Sequence, residues 1–67
     1  MSASVEEQVV QLRHGMIREL QLAAELLNRA TTQASRDDIA AARRLARAAS
    51  AISLSSARTA SIIELLE

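Results

Sequence analysis

Residues 35–66 read SRDDIAAARRLARAASAISLSSARTASIIELL. Ile39, Ala42, Leu45, Ala49, Ile52, Ser56, Thr59, Ile63 and Leu66 recur in it every three or four positions, which is the period of one helix face. Leu45, Ile52, Thr59 and Leu66 stand seven apart, as along a coiled-coil seam. Ser35 followed by Asp38 has the form of a capping box, with a hydroxyl and a carboxylate placed to satisfy the free N–H groups of a helix start. These features predict a helix over about residues 36–66.

Upstream, Ser4 followed by Glu7 gives the same start, and Val9, Leu12, Met16, Leu20, Ala23, Leu27, Ala30 and Ala34 form a second stripe. A helix over about residues 5–33 follows. Between the two, Thr31, Thr32, Gln33, Ala34 and Ser35 combine β-branched and hydroxyl side chains of weaker helix propensity, so the turn is expected at about 31–35. Each helix would be about 45 Å long, which leaves a single domain: an all-α, two-helix antiparallel hairpin.

The hairpin has little from which to build a core. Two lone helices cannot cover each other's apolar faces, and a 67-residue chain without cysteine has no disulfide to compensate. Association is the remaining route, either as a homodimeric four-helix bundle or on a larger helical partner. Ala42, Ala49 and Ser56 at seven-residue spacing, with Ala41 and Ala48 beside them, allow another backbone to come close. The expected partner-binding residues are Leu20, Leu27, Leu45, Ala49, Ile52 and Ile63.

Composition narrows the chemistry. There is no cysteine, one histidine, no aromatic residue and no proline. A thiol nucleophile, a zinc cluster and a base-stacking platform are thereby excluded, and neither enzymatic activity nor a cofactor is expected. Eight basic and eight acidic residues balance to a formal net charge of zero, which disfavours nucleic acid as a partner. Arg44, Arg47 and Arg58 do share one flank of the second helix, so an RNA-binding two-helix dimer is the reading with the smallest share; solvation, or pairing with Glu19 and Glu25, is the commoner fate of such a flank. The start of the chain lacks the charged and apolar regions of a signal peptide, and no uncharged run is long enough to span a bilayer, so a cytoplasmic location is expected.

His14 and Gly15 interrupt an otherwise strong helical run, and a helical glycine costs about 1 kcal/mol relative to alanine. Residues 13–28, RHGMIRELQLAAELLN, resemble the first dimerisation helix of bacterial sensor histidine kinases, whose phosphoacceptor region reads H-R-x-K-N-N-L-Q before an apolar stretch ending in L-L. His14 falls on the phosphoacceptor, Leu20 and Gln21 on L-Q, and Leu26 and Leu27 on L-L. Ala51, Ile52, Ser53 and Leu54 fall near that family's A-I-A-L segment. Gly15, Ile17 and Arg18 replace the polar residues that would serve the histidine. The resemblance thus implies a dimerising hairpin without kinase competence, or a phosphotransfer hairpin that relies on another protein's catalytic domain.

In size and architecture the chain also resembles the small co-chaperones of bacterial type III secretion needle subunits, with residues 44–49 similar in character to their second helix. That resemblance implies pairing with a larger helical-repeat chaperone. The combined expectation is a non-enzymatic protein-interaction module, a small adaptor or co-chaperone. Phosphotransfer at His14 is the alternative.

Overall fold

The computed structural model describes residues 4–67 and consists of two helices, α1 (Val5–Ser35) and α2 (Ile39–Leu66), folded back on each other. At the start of α1 the Ser4 hydroxyl accepts from the Glu7 N–H at 3.2 Å, as the capping pattern predicts. Glu6 and Glu7 place negative charge in the first turn, where the helix dipole favours it.

The turn lies later than the sequence pattern suggests. Helix α1 continues through residues 31–35: Thr31 and Thr32 donate their hydroxyls back to the carbonyls of Leu27 and Asn28, and Ser35 donates to Thr32 O at 2.7 Å. Their hydroxyls are thus absorbed by the helix instead of competing with it. Ser35 is therefore not the cap of α2, and α2 does not begin at Arg36. The reversal takes place at Arg36, Asp37 and Asp38. Asp37 N–H bonds Ala34 O at 3.0 Å and Asp38 N–H bonds Gln33 O at 2.9 Å, the paired bonds of a Schellman ending. Asp37 takes the left-handed conformation this ending requires, with φ 63°. Asp38 then turns from ending one helix to starting the next, its carboxylate accepting from Ala41 N–H at 3.1 Å.

The helices meet along seven-residue rows. On α1 the covered positions are Val9, Met16, Ala23 and Ala30 together with Leu12, Glu19, Leu26 and Gln33. On α2 they are Ala42, Ala49, Ser56 and Ile63 with Leu45, Ile52 and Thr59. For α2 this is the predicted stripe except at its two ends, where Ile39 and Leu66 are exposed. For α1 it is displaced: Leu20, Leu27 and Ala34 lie one position off the seam and are exposed, while Glu19, Leu26 and Gln33 take their places. A straight 3.6-residue count drifts off a 3.5-residue seam over a helix this long.

The buried apolar set is small: Val9, Ala23, Ala30, Ala49 and Ile63, of which three are alanine. Ala49 is the most enclosed, at 1% exposure. Ser56 is buried as well, and its hydroxyl donates across the seam to Glu19 Oε2 at 3.1 Å, which satisfies a polar group that would otherwise be costly to enclose. At the open end, Arg13 reaches Glu67 at 3.2 Å across the hairpin. The result is a rod of 52 × 16 × 15 Å with a radius of gyration of 15.5 Å.

Candidate interaction surface

The seam divides the rod into two flanks of different chemistry. On one flank α1 presents Val10, Ile17, Leu20, Ala24, Leu27 and Ala34, and α2 presents Ala46, Ser50, Ser53, Ala57 and Ala60. Val10, Ile17, Leu20 and Leu27 are each between 43% and 50% exposed. Near the turn this flank forms a shallow groove in which Leu27, Thr31 and Ala34 face Ile39, Arg43 and Ala46. Near the termini it continues as a depression lined by Val10, Glu6, Arg13 and Glu67. No charged residue stands on it between these ends.

The opposite flank is charged along its length. It carries Arg18, Glu25 and Arg29 on α1 and Arg44 and Arg58 on α2, together with Leu22 and Ile62. Its main feature is an open groove of about 500 Å³ at the terminal end, lined by Gln8, Leu12, Gly15, Met16, Thr59 and Ile62. A Cβ at Gly15 would meet nothing within 4 Å.

The expected binding residues divide among three environments. Leu20 and Leu27 are exposed on the uncharged flank and are free to meet another molecule. Leu45 and Ile52 are half-buried in the seam. Ala49 and Ile63 are buried between the helices, where they hold the hairpin together. Val10 and Ile17 also belong to the uncharged flank, outside the expected set. Their signal was in the sequence, since they precede Leu20 and Leu27 by ten residues each and so share two adjacent helix rows with them.

His14 is exposed on the outer face of α1, beside Ile17 and Arg18. Arg44, Arg47 and Arg58 are also exposed. Neither Glu19 nor Glu25 pairs with them: Glu19 takes the Ser56 hydroxyl, and Glu25 pairs with Arg29 one turn along its own helix at 3.0 Å. Among the described residues no group of His, Asp or Glu is placed to hold a metal ion, and no helix is long and apolar enough to cross a membrane.

Compared with known proteins, the chain matches no family model, no curated protein and no solved structure.

Proposed function

We propose that this chain is a non-enzymatic protein-interaction module, a small adaptor or co-chaperone that works through its apolar helix faces. The observation that carries this reading is the apolar strip of Ile17, Leu20 and Leu27, with Val10 beyond Arg13, on a rod with almost no core of its own. The exposed area of 5139 Å² exceeds the roughly 4,100 Å² expected of a compact protein of this mass. Contiguous apolar surface of this kind is what interaction sites present. The folding unit is also short of buried area, so covering the strip stabilises the hairpin and the complex together.

A photo-crosslinking residue at Ile17, introduced in cells that produce the protein, tests the reading. It is expected to form a discrete protein adduct, whether with another protein or with a second copy. That adduct disappears when Leu20 and Leu27 are both changed to Asp. The same probe at Arg47, on the outer face of α2, forms none. No adduct at Ile17, or one indifferent to Leu20→Asp and Leu27→Asp, overturns the assignment.

A further inference from the structure

We infer that the occupant of the uncharged flank is a second copy of this chain, lying antiparallel so that the turn of each copy sits over the termini of the other. This deepens the reading above and rests on it. The argument begins with where the charges of that flank fall. Arg43, Ser50, Ala57 and Glu64 stand at seven-residue intervals on one row of α2, so a cation marks the turn end of the row and an anion its terminal end, with two small uncharged residues between them.

A twofold axis midway along this row, between Ser50 and Ala57 and level with Ser53 on the neighbouring row, brings Arg43 of each copy close to Glu64 of the other. The same axis places Ala46 opposite Ala60 and Ser53 opposite itself. All of these are small side chains, which let two α2 helices approach closely. The Glu19–Ser56 hydrogen bond fixes the level of α1 against α2. The axis through Ser53 therefore passes within about one turn of Leu20. There the two α1 helices meet with Leu20 of one copy against Ala24 of the other and Ile17 against Leu27. One axis thus serves both helix pairs.

The reverse stacking, with both turns at one end, satisfies fewer charges. It sets Glu64 beside Arg13 of the other copy, an arginine already bonded to Glu67, and leaves Arg43 opposite Thr31 and Ala34, with no anion to meet. The charged flank offers no comparable match, because its arginines are spread along both helices. The whole rod measures 52 × 16 × 15 Å, so one full face provides about the 800 Å² per partner that a standard stable interface covers.

Because the protein contains no cysteine, single cysteines report the arrangement without ambiguity. Ser53→Cys is expected to link to itself with a short bismaleimide under native conditions. Arg43→Cys copies mixed with Glu64→Cys copies are expected to give the mixed dimer, while neither variant links to itself. Arg43→Glu alone and Glu64→Arg alone should each weaken self-association by roughly tenfold, since every reversal acts twice across a twofold interface, and the double reversal should restore it. Self-linking of Arg43→Cys overturns the antiparallel arrangement. A wild-type chain that is helical yet monomeric in sedimentation equilibrium overturns the second copy as occupant. In that case a crosslink from Ile17 to a different protein leaves the broader interaction reading standing, and its absence removes both.

Discussion

Asp37 holds the turn in a conformation most residues avoid. At φ 63° an L-residue brings its Cβ against its own backbone, and aspartate is among the few non-glycine types that tolerate this. The tolerance depends on side-chain type, so Asp37→Gly is expected to leave the thermal midpoint unchanged or raised. Asp37→Val, β-branched and unable to bond locally, should cost about 1–2 kcal/mol, measured by helical circular dichroism on heating. Helix propensity alone places the turn at 31–35, among hydroxyl and β-branched residues, but a hydroxyl inside a helix can bond back to a carbonyl, as those of Thr31, Thr32 and Ser35 do. Two successive aspartates were the better signal, one tolerant of the left-handed region and the other a strong cap.

At the scale of the helices, the second was legible almost in full and the first only in part. Its rows of Ala42, Ala49, Ser56 and Ile63, with Leu45, Ile52 and Thr59, follow a seven-residue repeat without interruption, and the structure uses them all. In α1 a three- or four-residue count places Leu20 on the seam, whereas the seam accepts Glu19 because Ser56 offers it a hydrogen-bond donor. No rule of periodicity alone could show that a carboxylate is satisfied from the other helix. The consequence for the candidate surface is direct, since the leucines displaced from the seam, Leu20 and Leu27, are the ones left exposed. The small residues of α2 set how close the helices lie. Ala49→Leu is accordingly expected to destabilise the hairpin by about 1–3 kcal/mol through overpacking, as a lower midpoint in urea followed by circular dichroism.

Taken as a whole, the molecule is a rod. Its radius of gyration of 15.5 Å compares with about 11 Å for a compact domain of the same length. Elongation exposes apolar area, which the proposed association would cover. The shape also distinguishes ways of associating. Two rods laid side by side with helix axes 8–10 Å apart should show a radius of gyration in solution scattering only about 1 Å above that of one. End-to-end assembly would nearly double it, and such a value would exclude the flank as the contact.

The hairpin also brings residues near its two extremities together, with Val5 and Glu6 lining the same depression as Leu66 and Glu67, and Arg13 bonded to Glu67. Anything joined to either extremity, a fluorophore or a fused domain, therefore leaves the rod from one pole. In an antiparallel pair the two poles point in opposite directions, and the attached bodies are held apart by the 52 Å length of the rod. The pair would then act as a spacer of fixed length, its span set by the number of helical turns between Val5 and Asp37.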